Sequence, residues 1–184
     1  MTLTKTPICD FGKKAENFKL KSTNNKFLTL NDVKGDKGTL IMFICNHCPY
    51  VKAVVKDIVD DVKFLDTLGI KSAAIMSNDV KNYPDDSFEN MISFSKLHNF
   101  SFPYLLDETQ KTAKEYGAVC TPDFFGYNKN LELQYRGRIR ELKNLKPVRQ
   151  GESDLKKAME MVAKSGKGPS NQIPSMGCSI KWFK

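Results

Sequence analysis

The stretch TLIMFICNHCPYVKAVVKDIVDDVKFLDTLG, Thr39 to Gly69, decides the fold. It opens with Thr39-Leu-Ile-Met-Phe-Ile-Cys45, a nearly unbroken apolar run. That is the pattern of a central strand covered on both faces. The period then changes. Val51, Val54, Val55, Ile58, Val59, Val62 and Leu65 recur at helical spacing, with Lys and Asp on the other face, which predicts an amphipathic helix. Pro49 suits the first turn, where its missing N–H costs nothing, and Gly69 suits the end. Between strand and helix lies Cys45-Asn46-His47-Cys48.

Working outward, Ile70–Met76 is a second buried strand. Tyr83-Pro-Asp-Asp-Ser87 reads as a loop leading into a capped helix, not as a catalytic acid pair, and the helix runs from about Asp85 to His98. Phe102–Leu106 is a short strand, and Glu108–Tyr116 a short helix ended by Gly117. Asp123–Tyr127 and Leu131–Tyr135 form a hairpin around Asn128-Lys-Asn130. Ser153 or Asp154 caps a last helix carrying Leu155, Ala158, Met159 and Val162. Upstream, Asn17–Leu20 and Lys26–Leu30 are two strands joined at Thr23–Asn25. A polar leader of about residues 1–14 holds Cys9 near an unstructured start. A Gly/Pro/Ser-rich tail, about 165–184, ends in an apolar segment with the only Trp and is expected to dock. The expectation is one α/β domain over 1–184, a central mixed sheet flanked by helices, preceded by a β-hairpin.

Bulk properties exclude several function classes. The net charge of +8 comes from 29 basic and 21 acidic residues, but the lysines are interspersed with acids, as in Lys52, Lys56, Asp57, Asp60, Asp61 and Lys63. There is no basic arm or aromatic-interleaved basic patch, so no nucleic-acid partner is expected. No run approaches the roughly 20 apolar residues that span a bilayer, so no membrane partner is expected either. The first ten residues lack the apolar core of a secretory signal, which leads to an expected cytoplasmic location.

Five widely spaced cysteines do not form a disulfide scaffold, and only Cys45 and Cys48 are close in sequence. In a reducing compartment such a pair is catalytic or metal-binding. Zinc needs two further ligands, and only His47, His98 and the scattered cysteines are candidates, so no metal is expected. No glycine loop cradles a phosphate, and no organic cofactor is implied because the cysteines carry two electrons themselves. A thiolate at a helix start is stabilised by unpaired N–H groups and the macrodipole, which can bring its pKa to about 3.5–7.5. Cys45 is expected to be the exposed attacking sulfur and Cys48 the resolving one. His47 is expected to donate a hydrogen bond or a charge to the thiolate. Cys120 reads as a buried inert thiol or a resolving partner. Cys178 either packs or supplies a third thiol over the site. His98, near a helix end, reads as structural.

The strand–CxxC–helix unit, the later Thr121-Pro122 before a hairpin and the terminal helix together resemble the thioredoxin superfamily. The N-terminal hairpin and the additional helix and strand before Glu108 resemble its redoxin branch, which includes the AhpC/TSA peroxiredoxins. The strings FICNHCPYVKA (43–53), GAVCTPDFF (117–125) and GCSIKW (177–182) are similar to those of redoxin-domain proteins. The resemblance covers nearly the whole chain. It implies a thioredoxin-like fold with a redoxin-type insertion, and a cis-proline loop at Thr121-Pro122 that packs on the cysteines and offers backbone groups to a thiol substrate. It further implies thiol–disulfide exchange with a protein or small-molecule disulfide, the pair being reopened by an external thiol reductant. The histidine resembles the Cys-Pro-His-Cys and Cys-Gly-His-Cys sites of disulfide oxidases and isomerases. Against peroxiredoxins, Cys48 aligns with the peroxide-attacking cysteine, while Cys45 and Ile41 stand where those proteins carry threonine and proline. The alternatives are therefore a hydroperoxide-reducing thiol peroxidase and a non-enzymatic redox sensor using Cys178 as a tail switch.

Overall fold

The computed structural model describes residues 2–184. In chain order, β1 (Leu3–Lys5) is followed by β2 (Lys19–Ser22), β3 (Phe27–Thr29) and the short α1 (Leu30–Val33). Then come β4 (Gly38–Phe43), α2 (Pro49–Thr67), β5 (Ile70–Met76) and α3 (Phe88–Leu97). Next are β6 (Tyr104–Leu106), α4 (Lys111–Tyr116), β7 (Cys120–Thr121), β8 (Asp123–Asn128) and β9 (Leu133–Tyr135). The two-residue strands β10 (Leu142–Lys143) and β11 (Lys146–Pro147), α5 (Asp154–Ser165) and β12 (Met176–Ser179) complete the chain.

The main sheet has seven strands in the order β3-β2-β6-β5-β4-β8-β9. The pairs β4–β5 and β5–β6 are parallel, and the outer pairs are antiparallel. The period of two along β4 sorts its side chains into two cores. Leu40, Met42 and Ile44 face Val51, Val54, Ile58 and Leu65 of α2 together with Leu155 and Met159 of α5. Ile41 and Phe43 face Ala113 and Tyr116 of α4 with Phe125, Tyr127 and Ile180. The expected mixed sheet with helices on both faces is therefore present. Helix α2 ends as expected, with Gly69 at φ +81°, a conformation that a residue without Cβ adopts freely.

The chain departs from expectation in two places. The expected helix over 85–98 is split. Pro84–Asp86 is a 3₁₀ turn, and Ser87 starts α3 by accepting the Asn90 N–H at 3.3 Å. The leader is not unstructured. β1 pairs antiparallel with β12, which in turn pairs antiparallel with β7, giving a second, three-stranded sheet. Gly12 N–H and Ala15 N–H donate to Leu133 O and Leu131 O, so the rest of the leader is sewn to the β8–β9 hairpin and Cys9 is half-buried there. In the tail, Cys178 and Ile180 are buried and Trp182 is 37% exposed. No helix among the described residues is long and apolar enough to cross a membrane.

Candidate active site

β4 and β5 are parallel neighbours, so the segments leaving their carboxyl ends meet above the same edge of the sheet. The first segment is Ile44–Cys48 and the second is Ser77–Asp86. Their meeting point is Asp86, a fully buried carboxylate. Asp86 Oδ1 accepts the backbone N–H groups of Asn46 at 2.8 Å and His47 at 3.3 Å. Its Oδ2 accepts Asn78 Nδ2 at 2.8 Å and lies 2.6 Å from His47 Nδ1. Asn46 is fixed further by the Asp85 carbonyl at 3.1 Å and by Tyr104 Oη, which donates to Asn46 Oδ1 at 2.9 Å. The turn carrying the two cysteines is thus pinned on the buried acid. Burial pushes the Asp86 carboxyl up, but the hydrogen bonds and charge of His47 and the Asn78 bond outweigh it and hold it below the usual range. The bond to Asp86 raises the His47 imidazolium pKa against the opposing effect of burial. The His47 ring stacks on Tyr83 with centroids 5.9 Å apart.

Both sulfurs are buried, Cys45 at 1% and Cys48 at 0% exposure, so the expectation of an exposed Cys45 is corrected. Pro49 is the first helical residue of α2, which makes Cys48 its N-cap. The hydrogen bond from Cys45 lowers the Cys48 pKa most, burial opposes it, and Cys178, the Val51 N–H and Thr121 add to the lowering, which brings it to about 5. That same bond keeps the proton on Cys45, whose pKa rises well above the ordinary value, with burial and the charge of Asp86 contributing. Both directions favour an anion on Cys48 over one on Cys45, the sulfur expected to attack. His47 Nδ1 bonds to Asp86, and of the two expected interactions with a thiolate it is the charge that is present, toward Cys48.

Thr121-Pro122 is cis and lies against the pair. Cys45 Sγ is 3.3 Å from Thr121 Oγ1, and Cys48 Sγ is 3.2 Å from the Thr121 carbonyl oxygen. The loop is anchored by buried Asp123, which accepts Val119 N–H at 3.2 Å and pairs with Arg136 Nη2 at 3.0 Å. Burial pushes Asp123 up to about 6 in spite of Arg136. Cys178 is brought to the pair, 3.1 Å from Cys48 Sγ. Burial, then the bond to Cys48, pushes its thiol up to about 12. Cys120 is buried with its sulfur 3.7 Å from Pro122 O, and burial followed by the charge of Asp123 raises its pKa. His98 caps the end of α3 with its ring against Phe94, centroids 4.5 Å apart, away from the sulfurs' contacts. One cavity of about 280 Å³ borders Pro122 and is walled by Tyr50, Val54, Arg138 and the Ile173–Met176 tail.

One donor atom each from Cys45, His47 and Asp86 lies within 4.8 Å of the others, a grouping that could hold a metal ion. Ligand atoms on one tetrahedral zinc sit at least about 3.3 Å apart, given bonds of about 2.0–2.3 Å. The 2.6 Å between His47 Nδ1 and Asp86 Oδ2 is instead that of a hydrogen bond, so these two atoms do not both ligate one zinc in this arrangement.

The AhpC/TSA family model matches residues 11–142. The chain belongs to the AhpC/TSA family. As in the expectation from sequence, it is a member of the redoxin branch of the thioredoxin superfamily. An uncharacterized conserved protein from Geobacillus kaustophilus is 38% identical, with a TM-score of 0.94, over 100% of this chain and 97% of that one. A hypothetical protein from Sinorhizobium meliloti 1021 is 32% identical, with a TM-score of 0.90, over 98% of both chains. A putative protein disulfide isomerase from Bacteroides thetaiotaomicron shares the thioredoxin-like fold at 16% identity and a TM-score of 0.66, over 90% of this chain and 96% of that one. No curated protein matches at a significant level. A thioredoxin-like redox function follows from this AhpC/TSA membership. Sequence reasoning missed Asp86, Asn46, Asn78 and Tyr104 as parts of the site. The signal that could have found them is the parallel β4–β5 pair, which brings the segments after both strands together.

Proposed function

We propose that this protein is a thiol–disulfide oxidoreductase working through Cys45 and Cys48, with Cys48 as the nucleophile. The observation that carries the reading is the placement of two buried sulfurs at the start of α2, each in contact with Thr121 of the Thr121-Pro122 loop. The Cys48 thiolate attacks one sulfur of a substrate disulfide RSSR. A Cys48–SR bond forms, and the leaving thiolate takes the Cys45 proton to become RSH. The Cys45 thiolate then attacks Cys48 Sγ and expels the second RS⁻, which water protonates. A Cys45–Cys48 disulfide remains for an external thiol to reopen. Thr121 contributes a hydroxyl beside Cys45 and a carbonyl beside Cys48. Asp86 and His47 act as positioning residues that hold the turn.

The test mixes reduced protein with a stoichiometric amount of hydroxyethyl disulfide and counts released thiol. Release of two equivalents, with a Cys45–Cys48 linkage in the peptide map and no release from Cys48→Ser, supports the reading. Absence of release from the intact protein would sink it. Hydroperoxide reduction is the second reading, favoured by the acidic thiol at the N-cap with another thiol in contact. Cys48 would take one peroxide oxygen as sulfenic acid, releasing an alcohol, and a second thiol would condense with it, releasing water. Saturable peroxide turnover without disulfide exchange would select it.

A further inference from the structure

Cys178 lies 130 residues from Cys48 in the chain, outside the CxxC pair, yet its sulfur is in hydrogen-bond contact with Cys48. The tail is held there by the backbone. Cys178 stands opposite Thr121 in the antiparallel β12–β7 ladder, on the segment that contacts both site sulfurs. Gly177 has no room for a side chain: a Cβ would run into the Thr121 carbonyl and come within 3.1 Å of Pro122 N. Ser175 Oγ donates to Pro122 O at 2.8 Å, and Ile180 N–H to Val119 O at 3.1 Å. Beyond the strand, Lys181 N–H donates to Asn78 Oδ1 at 2.8 Å, and Asn78 itself binds Asp86. Buried Gln110, at φ +62°, clamps Lys181 O and Phe183 N–H at 2.8 and 2.9 Å. Fastening on both sides of Cys178 makes its approach to Cys48 a built feature of the tail. Moving from the 3.1 Å contact to a disulfide bond length needs about 1 Å of approach.

We propose that Cys178 is a second resolving thiol for Cys48, so that the redox centre holds three sulfurs with Cys48 in the middle. The proposal rests on the reading that Cys48 carries the exchange chemistry. From a Cys48–SR mixed disulfide, the Cys178 sulfur attacks Cys48 Sγ. The Cys48–Cys178 bond forms, the Cys48–SR bond breaks, and the Cys178 proton ends on the departing RSH. The two protein thiols are oxidised and the substrate sulfur is reduced. Starting from a Cys45–Cys48 disulfide, the same attack releases Cys45, which takes up the Cys178 proton, with no net redox change. The second route converts a local disulfide into one that ties the carboxyl-terminal tail to the start of α2.

The experiment uses the full chain, reduced and then equilibrated with oxidised glutathione over a range of ratios, acid-quenched, alkylated and mapped by mass spectrometry without reduction. The expected result is two linked species in the wild type, Cys45–Cys48 and Cys48–Cys178. Cys45→Ser should give the Cys48–Cys178 link with glutathione released, and Cys178→Ser only Cys45–Cys48. Circular dichroism establishes that the variants are folded. If Cys45→Ser does not fold, the wild-type map alone decides. A wild type linked only as Cys45–Cys48, with Cys178 fully alkylated at every ratio, overturns the proposal and leaves the exchange reading standing. So does a folded Cys45→Ser that keeps glutathione on Cys48 with Cys178 alkylated. A wild type in which Cys48 forms no disulfide overturns both.

Discussion

Replacing Asp86 by Asn tests whether the buried acid holds the site together. The wild-type carboxylate accepts from Asn46 N–H, His47 N–H and Asn78 Nδ2, and faces His47 Nδ1. Asn keeps the shape and one acceptor oxygen but turns an NH₂ group on one side of this donor set. Breaking a buried ion pair costs about 3–5 kcal/mol, and the retained acceptor places this variant near the low end, about 3 kcal/mol. That is roughly a hundredfold loss in the folding equilibrium constant. With a urea slope of about 2–3 kcal/mol/M, the unfolding midpoint falls by roughly 1 M or slightly more.

The effect carries a pH signature. Asp86 is depressed, so its contribution is present above its unfolded pKa of about 3.9 and is lost as pH falls through the lower folded value. His47 is raised, so its contribution is complete below its unfolded pKa of about 6.5 and is lost as pH rises through the higher folded value. The gap between wild type and variant should therefore be widest between about pH 4 and 6.5 and narrow on both sides. Urea titrations of the reduced protein at pH 3, 5.5 and 8.5 measure it. A gap independent of pH, or one below about 1 kcal/mol at pH 5.5, would refute the assignment of Asp86 and His47 as a folded-state pair.

Three further outcomes are expected. Alkylation of Cys48 by iodoacetamide should follow a thiolate midpoint near pH 5, and Cys45→Ala should move it upward by removing the largest stabilising hydrogen bond; a midpoint above pH 8 in the wild type would contradict the placement of the anion. Ile58→Ala removes a fully buried side chain at the α2–sheet contact and should destabilise by about 2–5 kcal/mol in urea unfolding, without moving the Cys48 midpoint. Arg136→Met leaves buried Asp123 without its counter-charge; the carboxyl, already pushed up to about 6, should rise further, so the variant's stability should fall increasingly as pH rises from 5 to 8.

The parts legible in the sequence are those whose signal is local and long. Ile70–Met76 forms β5 end to end, and α2 runs from Pro49 as its valine spacing requires. The second sheet was not legible: β1, β7 and β12 are two to four residues long, too short for alternation, and their partners lie far away in the chain. Asp86 was hidden for a similar reason. A Pro-Asp-Asp turn is ordinarily solvated, and the Asn46 and His47 amides about forty positions earlier, with the His47 ring and Asn78, make the burial of Asp86 tolerable. Pro49 also bears on which of the two sulfurs favours the anion. Proline at the first helical position makes the residue before it the cap, so the dipole acts most directly on Cys48.

The same geometry explains why the protein tolerates an anionic sulfur so close to a buried carboxylate. Asp86 lies on the Cys45 side and is neutralised by His47 and by amides of the turn. Cys48 lies at the start of α2, 3.1 Å from Cys178 Sγ and 3.2 Å from the Thr121 carbonyl oxygen. Cys45 stands between the two charges and keeps its proton because both favour it. In the proposed exchange, oxidation would remove that proton and the Cys48 charge together, while the Asp86–His47 pair involves neither sulfur. The turn would then keep its anchor to Asp86 while the sulfurs exchange partners. That separation of a fixed polar support from a changeable sulfur cluster is what thiol exchange in a buried site requires.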